Sequence, residues 1–424
     1  MNNLGAGGLA TPRTANAANA SLFAIMTVTC VLGSAVTAKL GPKLALVLGT
    51  LGYAPYAAGL FCNSKFGTQW GLILGAILCG LSAGVFWATE GAIALAYPEP
   101  HRRARSLSIW LILNLLGSIL GGAINLALNV DRGNTGSISV NTYAVFIAIQ
   151  CLGPFIVYGL LSPPEKVQRD DGSKVVIRST ESFFGEIKET LKVWIRPPTL
   201  VLCVVFVQNQ WAPAATGTYL ATFFSVRARA LSSLVVSLMA QVLFWILGWF
   251  LDSQRWTLRQ RATWSFVVIF AWYAAGISWT FANTYNFTQR TPAPVYDWTT
   301  PGWAPAWVSF AMYNLPQQLL YNWLFWVVSF MTSKGEDHIR YVGVMRSAES
   351  AAQALSFGLS ATKVELWKSM AVNVGLFVAA LYPAWHTVQH ISLRDEQGLN
   401  ANSSGQGPVQ DQSDPDSDSS IEKT

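Results

Sequence analysis

The chain has 424 residues, 52% of them hydrophobic and only 12% charged, with 18 tryptophans and a formal net charge of +6. Soluble domains carry about 25% charged residues, so this composition excludes a soluble globular protein and places the chain among membrane proteins. The positive charge sits in short loops beside apolar segments, where membrane proteins keep it, and no nucleic-acid partner is expected.

A bilayer span needs about 20 mostly apolar residues. Eleven such segments follow one another, at 20–38, 44–62, 70–95, 106–129, 140–161, 198–224, 231–251, 262–283, 303–330, 341–361 and 367–390. The tenth is the weakest, because Arg346 and Glu349 interrupt it. The chain therefore reads as an all-α, polytopic membrane protein whose first partner is the lipid bilayer. The longest polar connection separates five spans from six. It gives an N-terminal bundle at 1–161, a linker at 162–197, a C-terminal bundle at 198–391 and a tail at 392–424.

Within the linker, Phe183, Phe184, Ile187, Leu191 and Trp194 recur at helical spacing, with Glu186, Lys188, Glu189 and Lys192 opposite. Two readings fit this amphipathic pattern. The helix lies on the membrane surface, or it is a solvated helix packed on the protein. The tail is rich in Ser, Asp, Gln and Gly, buries too little apolar surface to fold, and is expected to be disordered.

Alternating the connections between two faces puts seventeen Lys and Arg on one face and eight on the other. The positive-inside rule makes the first face cytoplasmic, with the N-terminus outside and the C-terminus cytoplasmic. The sequon Asn286-Phe287-Thr288 falls in an outer loop and is expected to carry a glycan. Plasma membrane and endomembrane both remain open.

The five cysteines sit in or beside spans without paired spacing and read as small buried residues. His386 and His390 lack further metal ligands. No phosphate-binding Gly-Lys-Ser/Thr loop, nucleophile elbow or zinc-protease motif occurs. We therefore expect no enzyme, no catalytic residue, no metal and no cofactor. Small-residue pairs such as Gly71/Gly75, Gly80/Gly84 and Gly117/Gly121 have helix-packing spacing.

Ionisable and amide groups inside spans are costly and mark functional candidates. Glu90 is one, and Arg346 and Glu349, three apart, form either a neutralised structural pair or an ion relay. The amides are Asn114 on the fourth span, Gln208, Asn209 and Gln210 on the sixth, and Asn314, Gln317 and Gln318 with Tyr321 beside Pro316 on the ninth. They form either the wall of a central polar cavity or interhelical hydrogen bonds averaging about 0.6 kcal/mol each.

Two short turns echo each other six spans apart. One holds Lys39, Gly41 and Lys43; the other holds Gly248, Asp252 and Arg255. Both resemble the loop signature of the major facilitator superfamily, although Ala38 replaces the acid in the first and the second lacks the later glycine. The resemblance implies a cytoplasmic latch pairing the two halves, with Glu90 as a substitute acid. The stretches Asn2 to Gly8, Ala83 to Ile93 and Gly248 to Arg261 are similar to the uncoordinated-93-like branch of that superfamily. That resemblance implies a facilitator-type helical bundle of twelve spans, of which this chain is expected to begin at the second. It also implies one of two functions. One is secondary transport of a small solute or ion by alternating access. The other is a non-transporting role as a regulator of an ion channel, or a trafficking partner of another membrane protein.

Overall fold

The computed structural model describes residues 6–9, 11–97, 103–169, 172, 175, 182–253, 255–331 and 338–403. Twelve α-helices make up almost all the regular structure among them: α1 Pro12–Thr50, α2 Tyr53–Phe66, α3 Gln69–Ala96, α4 Arg103–Asn129, α5 Val140–Leu160, α6 Phe183–Trp194, α7 Pro197–Phe223, α8 Val226–Leu251, α9 Leu258–Thr288, α10 Trp303–Met331, α11 His338–Ala361 and α12 Leu366–Ser403. All eleven expected apolar segments lie on these helices, α6 being the amphipathic extra. By length and composition alone, six stretches among the described residues suffice to cross a bilayer, and a seventh is the pair α6 and α7, bent by 78°.

The boundaries follow local chemistry. Gly41 adopts φ 76°, ψ 156°, which breaks α1 before Pro42 and separates the first two apolar segments. Gly67, left-handed at φ 72°, closes α2. Pro197 and Pro198 start α7, where a missing N–H costs nothing. Thr257 and Gln260 form a reciprocal capping box on α9. The last helix continues to Ser403, beyond the point at residue 392 where the composition suggested a disordered tail, and residues 404–424 lie outside the described residues.

Helices α1 and α2 pack on α3 and α5, α7 packs with α10, α11 and α12, and α9 packs with α10 and α12; we call α1–α5 and α7–α12 the two halves. Small residues set the closest approaches, as expected where lipid offers no hydrophobic drive to helix pairing. A Cβ on Gly84 would clash with Thr29 Oγ1, and one on Gly276 would clash with the Met312 carbonyl. Gly80 likewise packs on α1, but Gly117 has nothing within 4 Å; it is Gly122 that meets Leu234 on α8. Across the halves α1 packs along α11, α4 along α8, and α3 touches α11. The stacked rings of Phe23 and Phe357 and the Ser347 hydroxyl donating to Thr27 O lie in the α1–α11 seam.

The two faces of the bundle are tied differently. On the face away from the basic loops, Val226 N–H donates to Asn134 O at 3.0 Å and Arg227 N–H to Arg132 O at 3.0 Å, joining the α4–α5 loop to the start of α8. Asp297 accepts from Arg227 Nε at 2.8 Å and from the Ser225 hydroxyl at 2.5 Å, pinning the α9–α10 loop to the same place.

Candidate functional site at the seam between the halves

On α11, Arg346 and Glu349 are 6% and 5% exposed, and Arg346 Nη1 donates to Glu349 Oε2 at 3.0 Å. Tyr321 of α10 joins them: its hydroxyl accepts from Arg346 and donates to Glu349 Oε2 at 3.5 Å. Three rings surround the guanidinium. Their centroids lie 4.6 Å (Trp87 of α3), 5.1 Å (Phe325) and 5.6 Å (Tyr321) from Arg346 Cζ. Trp87 belongs to the other half, so this cation–π contact spans the seam. Arg346 Nε and Glu349 Oε1 are buried and find no hydrogen-bond partner among the described residues.

The amides of α7 are also buried. Gln208, Asn209 and Gln210 are 0%, 0% and 6% exposed. Gln317 of α10 donates to the Asn209 carbonyl at 3.3 Å, and Gln353 of α11 donates to Gln210 Oε1 at 2.6 Å. The Asn209 side-chain amide itself has no partner at either atom among the described residues. Gln208 neighbours Tyr273, which shares Asn373 of α12 with Tyr313. Charge and amides thus converge from α7, α10 and α11 around uncommitted donors and acceptors. Arg346 can engage an anion, Glu349 a cation or proton, and Asn209 a polar solute.

A family model described as ion channel regulatory protein UNC-93 matches residues 11–212. Notoamide biosynthesis cluster protein O' of Aspergillus versicolor is 39% identical over 394 residues, covering 93% of this chain and 85% of that one. The chain belongs to the UNC-93-like family. UNC93-like protein 1 of Arabidopsis thaliana is 26% identical over 400 residues, 90% of this chain and 84% of that protein. Among solved structures, the xylose transporter XylE of E. coli superposes with a TM-score of 0.62 at 12% identity, covering 88% of both chains. The FucP transporter in its outward conformation gives 0.55 at 10% identity, over 91% and 97% of the two chains. Identities this low speak for the fold alone, and that fold is the major facilitator bundle.

In this UNC-93-like chain the expected site residues are only partly brought together. Arg346, Glu349 and Tyr321 form one buried cluster that reaches Trp87 of the other half, whereas Gln208, Asn209, Gln210 and Gln317 meet partners on α7, α9, α10 and α11 of their own half. Gln318 donates instead to Asn314 within α10, at 2.6 Å. Asn114 is exposed on α4 and stands apart from the cluster. Glu90 Oε1 accepts from Trp110 Nε1 of α4 at 2.6 Å.

The two echoing turns do not form the expected latch. Lys39, Asp252 and Arg255 are exposed, Lys43 sits 4.8 Å from the Tyr158 ring centre, and the Asp252 N–H closes α8 on Gly248 O. Among the described residues no ion pair joins the turns to each other or to Glu90. Ties across that face run through Arg340 to Glu186, at 2.9 Å to each carboxylate oxygen, and through Ser34 to Thr190 at 3.1 Å. Asn286 is exposed near the end of α9.

Trp87, Trp110, Tyr273, Tyr313, Gln353 and Asn373 were missed by sequence reasoning. Aromatic residues in spans read first as interfacial belts, and no spacing links residues drawn from separate helices. Gln353 and Asn373, amides within apolar spans, carried the usable signal.

Proposed function

We propose that this protein is a secondary transporter, not an enzyme, that moves a small polar or ionic solute through the seam between its two halves. The observation that carries this reading is the buried Arg346–Glu349 pair bound to Tyr321, one helical turn along α10 from Gln317, which donates to the carbonyl of Asn209, whose side-chain amide is uncommitted. Buried ion pairs add little stability over apolar side chains of similar volume, so packing alone gives no reason to keep one here. In the major facilitator fold, movement of the halves would expose the cluster to each side in turn. The face bearing Lys39, Lys43 and α6 would be cytoplasmic and Asn286 would face outward.

The test is uptake in proteoliposomes, screened with radiolabelled organic acids, amino acids, sugars and inorganic ions, with internal pH followed by a trapped dye. Arg346→Gln and Glu349→Gln are expected to abolish flux and Asn209→Ala to reduce it about tenfold or more. Flux unchanged in all three variants would sink the proposal.

The family description supports a second reading, a regulator of an ion channel. Ties between the halves on both faces suit a scaffold that does not need to open. A purified, folded protein that moves none of these solutes but binds a channel with undiminished affinity as Arg346→Gln would favour it.

A further inference from the structure

Helix α6 has its amphipathic pattern inside out. Its buried residues are Glu186, Thr190 and Val193, whereas Phe184, Leu191 and, just beyond its end, Ile195 are 79%, 49% and 72% exposed. On a water-facing surface that arrangement would be unfavourable, since it buries a carboxylate and exposes three large apolar side chains. The polar side is satisfied by the bundle. Glu186 takes a bidentate pair from Arg340 at the start of α11, and Thr190 shares a hydrogen bond with Ser34 of α1. Arg196, at the bend into α7, donates to the Tyr341 hydroxyl at 3.3 Å. One short helix therefore ties α1 of the first half to α11 of the second.

The apolar side has a direction. The axis of α6 turns by 78° into α7. With α7 crossing the bilayer, α6 lies nearly in the membrane plane, at the level of the lipid headgroups. Lys188 and Lys192 are exposed on the same helix, and Lys192 pairs with Glu189 at 2.6 Å. Exposed rings and aliphatic chains beside exposed lysines, held in the interfacial plane, match an anionic bilayer surface.

We propose that α6 is a lipid-seated strap: Phe184, Leu191 and Ile195 insert into an anionic leaflet, and the seat holds Glu186 and Thr190 where they clamp α11 to α1. Lipid charge thereby sets how firmly the two halves are tied on this face. The inference does not depend on whether the protein transports or regulates.

Hydrogen exchange, read by mass spectrometry on the full chain in nanodiscs, tests it. One bilayer is phosphatidylcholine alone and the other is phosphatidylcholine mixed with phosphatidylserine. Amides of 184–194 are expected to exchange about tenfold more slowly in the anionic bilayer. The triple change Phe184→Ser, Leu191→Ser, Ile195→Ser should remove the difference while α9 amides stay protected. Arg340→Gln should speed exchange in α6 in both bilayers. Equal exchange of wild-type α6 in the two bilayers overturns the proposal, as does a folded triple variant that keeps the lipid difference. Should the triple variant lose α9 protection, the wild-type comparison decides alone.

Discussion

The Arg346 guanidinium of α11 lies 4.6 Å from the ring centre of Trp87 on α3, so a buried charge in one half is held by an aromatic face in the other. Desolvated cation–π contacts contribute about 2 kcal/mol, enough to bias the relative position of two bundles. Trp87→Phe is expected to retain most of the contact. Trp87→Leu should lower thermal stability, and a double-mutant cycle with Arg346→Gln should return a coupling of about 1–2 kcal/mol. A coupling near zero, measured by unfolding in detergent, would show that the contact carries no energy.

Glu349 is the counter-charge for Arg346, at 3.0 Å and equally buried. Removing either partner breaks a buried, directly bonded pair, which typically costs about 3–5 kcal/mol, although Arg346 still feels the carboxylate of Glu90. Arg346→Gln and Glu349→Gln should each destabilise the protein, and the double substitution should be milder than the sum of the two. Strict additivity in the melting temperatures would contradict a direct pair.

A Cβ on Gly91 of α3 would lie 2.7 Å from Val342 Cγ1 of α11. Gly91→Leu should wedge the halves apart and destabilise by about 1–3 kcal/mol, the usual cost of overpacking. Val342→Ala, which makes room, should restore part of the loss. The same thermal assay decides, and failure of the rescue would place the strain elsewhere.

Asn209 is fully buried with an uncommitted amide. An unsatisfied buried polar group costs about 1–3 kcal/mol. Asn209→Leu should therefore hold or raise stability while removing solute flux, the trade expected of a residue kept for function. A drop in stability with unchanged flux would make Asn209 a packing residue.

On the face away from the basic loops, the Asp297 carboxyl is held well below the usual carboxylate range, first by Arg227 and then by Ser225 and Thr299. A group whose folded value is depressed contributes stability that is complete above its unfolded value, near 3.9, and fades as pH falls further toward the folded value. The α9–α10 loop should therefore resist proteolysis equally from neutral pH down to about 4 and loosen only in stronger acid. Asp297→Asn should loosen it across the whole range. Opening of the wild-type loop near neutral pH would contradict the assignment.

The membrane class, the helical segments and the family were legible in the sequence because each is a local property. Span length answers to bilayer thickness, helix breaks to Gly41 and Pro42, and the recurring turns to chain order. The family resemblance likewise rested on contiguous stretches such as Ala83 to Ile93. Even the limits of α6 were readable, since a repeat of Phe183, Ile187 and Leu191 fixes a helix whatever it packs against.

Which polar groups meet was decided only by the fold. Asn114 and Asn209 look alike as amides in apolar runs, yet one is exposed on α4 and the other is sealed against α10. Glu186 looked like the solvated side of an amphipathic helix and instead became its anchor to Arg340, 154 positions away. Sequence spacing reports which residues share a helix face. The energy of a buried charge or amide depends on what another helix brings to that face, and only the tertiary packing of α3, α7, α10 and α11 supplied it.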